Sequence, residues 1–416
     1  MDSAFLKFAA RHRALLATTP RAFARFLTDE ISWGSKLIGI VGPRGVGKTT
    51  LLAQRLLELE LPPEEGIYLD LGDLLFQDIS LVDFAEWYQE RGGRYLFVDE
   101  VHRYPGNNWA AELKMLYDFH RAKLSVVFSG SSMLQILEAG ADLSRRVHYY
   151  HLPGLSFREY LLLKHGVAVE SLDLAYILND SATVQHRLLR DGFAPLAYFN
   201  QYLVNGYYGF VLEDDAGYFD QLNQVIQISI TQDIAAFGGL PTANAGKLAR
   251  LLQAIASSVP FKPNVSKLAQ RTGIDRNTLI EYLNLLHRAG IIQQLRADGK
   301  GISPLAKPDK IYLDNTNLIY ALSPQRAEKG AVRETFFYNQ LGYLARRKLA
   351  FPPEINLPKN GDFVYHYQGN TYYFEIGGPN KTADQLGTGA GNFTVVDAAS
   401  TASPHRIPLW LFGLLY

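Results

Sequence analysis

The run Gly42-Pro43-Arg44-Gly45-Val46-Gly47-Lys48-Thr49 has the spacing G-x4-G-K-T. Glycines at these positions let a loop curl until its backbone N–H groups point inward and cradle phosphate oxygens. Lys48 would reach the β- and γ-phosphates, and Thr49 would offer its hydroxyl to Mg²⁺. A helix opening at Lys48 would add the favourable field of its N-terminus.

The second chemical feature is Tyr95-Leu96-Phe97-Val98-Asp99-Glu100. Four apolar residues followed by two acids place carboxylates at the C-terminal end of a buried strand, where sites of α/β folds lie. About 50 residues after a phosphate loop, Asp99 is expected to hold Mg²⁺ and Glu100 to activate water. Leu124–Phe128 is followed by Ser129-Gly130-Ser131-Ser132. Ser129 is the candidate to sense a γ-phosphate, while Ser131 and Ser132 suit helix N-caps equally well. Ser144-Arg145-Arg146 carries a pair of cations that reads two ways, as a solvated basic pair or as a guanidinium that stabilises charge at a neighbouring subunit's phosphate.

These residues need a scaffold, and the flanking pattern supplies one. Lys36–Val41, Ile67–Leu71, Tyr95–Val98, Leu124–Phe128 and Val147–Leu152 read as short apolar strands. Leu51, Leu52, Leu56 and Leu59 have helical spacing directly after the loop. Continuous apolar strands alternating with helices predict a parallel sheet covered on both faces. From Ser156 to about Asn244 the pattern is mostly helical, and strand signals return at Lys310–Leu313, Asp362–Tyr367, Tyr372–Ile376 and Phe393–Val396.

Composition narrows the classes. The chain has 416 residues, 41 Lys+Arg against 41 Asp+Glu, and no cysteine. A zero net charge argues against a basic nucleic-acid coat protein, though not against a local basic patch. Without cysteine there is no disulfide, iron–sulfur cluster, thiolate zinc site or thiol nucleophile. No apolar run approaches the ~18 residues of a membrane span, and no secretory leader pattern opens the chain, so a soluble cytoplasmic protein without membrane contact is expected.

The stretches Gly42–Thr50, Tyr95–Trp109, Val126–Ser132 and Ser144–Tyr160 resemble the AAA-type (AAA+) branch of P-loop ATPases. Together with Gly361–Val364 and Tyr373–Ile376, they are similar to a prokaryotic family of uncharacterised ATP-binding proteins. There an AAA core precedes a winged helix and a domain like restriction endonucleases. The resemblance implies ATP/ADP and Mg²⁺ as ligands, with Gly42 to Thr50 cradling the nucleotide. It also implies a homo-oligomer, a hexameric ring, and makes Arg146 rather than Arg145 the finger. Two departures stand out. Arg145 occupies a position that is usually glycine, and Gly377 stands where members often carry a lysine after Glu375.

Residues 245–300 hold nine Lys/Arg and three Asp/Glu, a net of +6. Lys267–Gln270 on a first helix, a turn at Thr272-Gly273-Ile274, and Asp275 capping a helix over Arg276–Arg288 give helix-turn-helix spacing. Duplex DNA at Arg276, Asn277 and Thr278 is one reading; packing or protein contact is the other. In the tail, Glu334, Asp362 and Glu375 lack a lysine at 377, and Lys381 would compensate only if the chain folds back. Nuclease activity is therefore not expected.

The expected architecture is α/β: an AAA+ parallel-sheet core at 1–155, a helical lid at 156–244, a winged helix at 245–300 and a degenerate endonuclease-like domain at 301–416. The expected activity is ATP hydrolysis by an oligomeric motor or switch, DNA-directed, or alternatively acting on an unknown protein partner.

Overall fold

The computed structural model describes residues 1–131, 143, 145–190, 192–234, 242–299, 307–346, 355–382, 386–387 and 389–416. The candidate positions Ser132 and Ser144 lie outside the described residues. The chain forms two compact units, Met1–Pro153 and Gly154–Tyr416.

In the first unit, helices α1 (Asp2–Thr18) and α2 (Leu27–Glu30) lead into strand β1 (Leu37–Val41), and α3 (Lys48–Leu59) follows the glycine loop. Next come β2 (Gly66–Asp70), α4 (Leu81–Glu90), β3 (Tyr95–Asp99), α5 (Trp109–Met115), β4 (Ser125–Gly130) and β5 (His148–His151). The strands pair in parallel in the order β2-β3-β4-β1-β5. This is the α/β class expected from the apolar runs. All five residues of β1 are buried, as a central parallel strand covered on both faces requires. Register aligns the strand ends: Ile40 lies beside Ser129 and Asp70 beside Asp99. The polar residues at the ends of β2, β3 and β4 therefore emerge at the same end of the sheet. Helix α1 buries Ala4 and Phe8, and Phe8 meets Phe76 and Phe84 at ring distances of 5.1 and 5.2 Å.

The second unit begins with α6 (Phe157–His165), whose Ser156 and Glu159 form a reciprocal capping box. Helices α7 (Leu174–Leu189), α8 (Pro195–Asn205), α9 (Tyr218–Ile228) and α10 (Thr242–Ala256) follow, so the stretch from Ser156 to about Asn244 is mostly helical, as its pattern predicts. Helices α11 (Val265–Thr272) and α12 (Arg276–Arg288) flank a turn at Gly273, where φ is +69°. Asp275 accepts from the N–H groups of Asn277 and Thr278, closing the first turn of α12.

Strand β6 (Ile292–Leu295) pairs antiparallel with β7 (Lys310–Leu313). The strand at 310–313, grouped by sequence with the tail, thus partners the segment before it. Helices α13 (Thr316–Leu322) and α14 (Lys329–Arg346) precede β8 (Ile355–Asn356), β9 (Phe363–Tyr367), β10 (Asn370–Gly377), β11 (Asn392–Val396) and β12 (Arg406–Pro408). These form a mixed sheet in the order β12-β11-β10-β9-β8. Helix α14 packs on it through Phe337, 4.9 Å from the Phe374 ring and 4.8 Å from Phe412. Among the described residues no helix is long and apolar enough to cross a membrane.

Candidate active site

The loop between β1 and α3 is shaped by what surrounds it. A Cβ on Gly42 would stand 2.1 Å from the Leu152 carbonyl oxygen, so only glycine lets β1 turn this close to the chain leaving β5. Gly45 and Gly47 have φ of +82° and +94°, the left-handed conformation that curls the loop. Lys48 is buried, and its ammonium donates to the carbonyls of Gly42 (2.9 Å) and Pro43 (2.8 Å). From outside the loop, the buried Arg25 donates to the carbonyls of Val46 (2.6 Å) and Pro153 (2.9 Å).

Asp99, buried at the end of β3, is the centre of the site. Thr49 Oγ1 donates to its Oδ2 at 2.6 Å, and the Tyr68 hydroxyl donates to the same oxygen at 2.9 Å. Ser129 donates to Oδ1, which also accepts the Glu100 N–H at 3.0 Å. The sheet edge thus brings Thr49, Asp99 and Ser129 together from three separate elements. Ser129 meets the carboxylate directly and is fully buried. Tyr68 escaped the sequence reading because a tyrosine inside an apolar strand looks like core. Its hydroxyl is pushed well above the ordinary phenol range, first by burial and then by the Asp99 charge.

Glu100 adopts φ +53°, unusual for a residue with a Cβ. Its Oε2 lies 3.3 Å from His102 Nε2 and 3.6 Å from Arg44 Nη1. His102 also meets Ser131 Oγ at 3.2 Å. Glu100, Arg44 and His102 therefore form a polar cluster beside the loop.

Arg146 is engaged within its own unit. It holds Asp118 through two parallel hydrogen bonds, Nε to Oδ1 at 2.7 Å and Nη2 to Oδ2 at 2.9 Å. The bond from Arg146 is the leading cause that keeps the Asp118 carboxyl below its ordinary range.

The donor set suits a magnesium nucleotide. A threonine hydroxyl and a buried carboxylate lie 2.6 Å apart where α3 begins, next to a lysine seated on the loop. Both are the hard oxygen ligands that Mg²⁺ takes. With its parallel strand order, the glycine loop after β1 and the acid pair after β3, the first unit is an α/β nucleotide-binding domain of the P-loop type.

Residues 34–161 match a family model described as an AAA domain. Residues 196–329 match a model described as a domain of unknown function (DUF8612). An uncharacterized protein of Methanocaldococcus jannaschii is 28% identical over 294 residues, which cover 66% of this chain and 60% of that protein. The chain thus spans under two thirds of that relative's length. Among solved structures, AMPPCP-bound DnaA of Aquifex aeolicus is 14% identical with a TM-score of 0.27, covering 62% of this chain and 84% of that one. RuvB of Thermotoga maritima is 20% identical with a TM-score of 0.26, covering 62% and 82%. The fold class rests on strand order and loop, not on these scores.

The tail brings its own charged groups together. Lys381 folds back so that Nζ lies 2.5 Å from Glu375 Oε1. Its stem fills the space beside Gly377, where a Cβ would come within 2.5 Å of it. Glycine at 377 and the return of Lys381 are therefore one arrangement. Lys310 Nζ lies 3.5 Å from Glu334 Oε2 and 3.6 Å from Asp362 Oδ1. Each of the three carboxylates faces an ammonium. Glu334 is raised by burial first and the Asp362 charge second.

Proposed function

We propose that the protein hydrolyses ATP to ADP and phosphate, and that it works as an assembly of like subunits directed to DNA by its second unit. The observation that carries the hydrolytic reading is the convergence of Thr49, Tyr68 and Ser129 on Asp99, with Glu100 next in the chain. Gly42 to Thr50 would cradle the phosphates, with Lys48 supplying positive charge. Thr49 and Asp99 are the residues that would hold Mg²⁺, which neutralises phosphate charge when bound.

In the chemical step Glu100 takes a proton from water. The water oxygen bonds to the γ-phosphorus, and the bond from that phosphorus to the β–γ bridging oxygen breaks, releasing ADP. Arg44 and His102 hold the Glu100 carboxylate in place. Ser129 acts through Asp99, fixing its orientation, and this refines the γ-phosphate sensor expected of it. Arg146 would leave Asp118 to reach the phosphate of a neighbouring subunit in a ring, a hexamer by resemblance.

DNA direction draws support from the helix-turn-helix of α11 and α12, with Arg276 and Asn277 exposed at the start of α12. Within this reading residues 156–244 serve as a helical lid, 245–300 as a winged helix, and 301–416 as an endonuclease-like domain, in which the return of Lys381 onto Glu375 places a lysine beside the acids. The zero net charge favours a second reading, a switch or remodeller acting on protein.

Turnover and nucleotide binding test the hydrolytic reading. Glu100→Gln should bind ATP and barely turn it over, and Lys48→Ala should lose binding. Normal turnover in Glu100→Gln would remove the base assignment. Mixing Arg146→Ala with Glu100→Gln subunits should restore some activity. No recovery in intact assemblies refutes a finger acting between subunits.

A further inference from the structure

We propose that the second unit holds a phosphate-binding cleft between the last turns of α10, the end of α11 and the turn at Pro324–Arg326, and that it takes the backbone of duplex DNA. The DNA source rests on the reading above; the phosphate chemistry stands on the cleft itself. The cavity is about 390 Å³, and its polar lining is Arg250, Gln253, Ser257, Thr272, Ser323 and Arg326. That volume is in the range of ligand sites, and among the described residues no carboxylate lines it.

Most of the neutral donors are already used. Gln253 Nε2 donates to the Leu322 carbonyl at 2.8 Å, Ser257 Oγ to that of Ala254 at 2.9 Å, and Thr272 Oγ1 to that of Leu268 at 2.7 Å. The helix ends are closed by backbone bonds as well, Ser257 N to Gln253 O and Gly273 N to Ala269 O. The guanidiniums are therefore not consumed in capping. Arg250 and Arg326 make no side-chain hydrogen bond or ion pair with any described residue, and the Ser323 hydroxyl joins them in a residue only 9% exposed.

Two arginines and a serine thus line one concave surface, with no carboxylate among its described lining residues. A phosphate offers what this set needs, because each guanidinium presents a planar fork that matches its oxygens. Position points to a polymer backbone. Thr272 ends α11, and Arg276 opens α12 four residues later, so the cleft adjoins the turn of the helix-turn-helix. Contacts to phosphate fix register on a duplex, while exposed side chains at the start of the second helix read base edges. Arg250 and Arg326 take the first task, and Arg276 and Asn277 the second.

The test titrates a labelled duplex with the full chain by fluorescence anisotropy between about 50 and 200 mM salt. In the double variant Arg250→Gln/Arg326→Gln, the slope of log affinity against log salt should fall by about two, one for each guanidinium removed. Binding should weaken alike on unrelated sequences, and ATP turnover without DNA should match wild type, showing that the chain remains folded. If wild type binds duplex and the double variant keeps its slope and affinity, the cleft does not touch DNA and the proposal is overturned. If wild type binds no duplex even at low salt, the DNA reading fails. Inorganic phosphate is then titrated into Lys48→Ala chains and followed by phosphorus NMR. Line broadening that disappears with the two glutamines assigns the cleft to a free phosphate; no broadening overturns the site altogether.

Discussion

The close approach of Gly42 to Leu152 sets a quantitative expectation for Gly42→Ala. The added Cβ would lie 2.1 Å from a backbone oxygen, and real Cβ atoms essentially never come closer than 3.0 Å. The obstacle is backbone, not the far end of a flexible side chain, and the Leu152 N–H ties this segment to the Val41 carbonyl at 2.7 Å. Loop and β5 must separate by roughly 1 Å, and this costs about 1–3 kcal/mol, as in overpacked cores. For a unit of this size the unfolding midpoint should fall by about 4–8 °C at 2 kcal/mol. Phosphate-cradling amides displaced by about 1 Å should lower ATP turnover on the order of 100-fold. Turnover and thermal unfolding, each with and without ATP, measure both effects. Gly34→Ala is the control, since its Cβ would meet nothing within 4 Å. Turnover in Gly42→Ala within a factor of about two of wild type would refute the claim that this close approach sets the loop.

Tyr68→Phe removes one donor from a buried carboxylate, and urea unfolding of the chain should show a loss of about 1.5 kcal/mol. An unchanged midpoint would show that the hydroxyl contributes nothing to holding Asp99. His12 is buried on α1 and accepts the Tyr68 N–H at 3.1 Å. Burial, followed by Arg13, lowers its pKa from 6.5 to about 4. The folded value lies below the unfolded one, so the unfolded chain binds the extra proton between them. Stability is complete above pH 6.5 and declines as pH falls toward 4. His12→Gln should flatten that part of the stability–pH curve; a curve identical to wild type would exclude His12 as its source. Lys381→Met leaves the buried Glu375 without its ammonium and should cost about 3 kcal/mol in thermal unfolding. Adding Glu375→Gln should recover most of it, whereas no recovery would locate the effect in packing of the lysine stem.

Much of the site could be read from local spacing. The glycine loop, the strand before it and the acid pair after β3 are short patterns in which neighbouring residues determine one another. What escaped depends on distant partners. Tyr68 reaches Asp99 across 31 positions and Arg146 meets Asp118 across 28, and neither pairing leaves a trace in its own neighbourhood. The strand at Lys310–Leu313 was legible, but its partner β6 was not, because pairing is decided by register and not by composition. Lys381 meets Glu375 only because the backbone turns back beside Gly377, a condition that local spacing could name but not decide. The C-terminal run Ile407-Pro408-Leu409-Trp410-Leu411-Phe412 has the length of a strand. It spends only 406–408 in β12 and then winds into a buried turn at Leu409–Leu414, since burial alone does not distinguish the two.

Arg25 grips two carbonyls, one in the phosphate loop and one at Pro153, the last residue of the first unit. One guanidinium fastens both the loop and the point where the chain leaves the sheet. Tension applied along the chain at 153 would strain a clasp that also steadies Val46. A mechanical load there and the conformation of the glycine loop are thereby exposed to the same slackening.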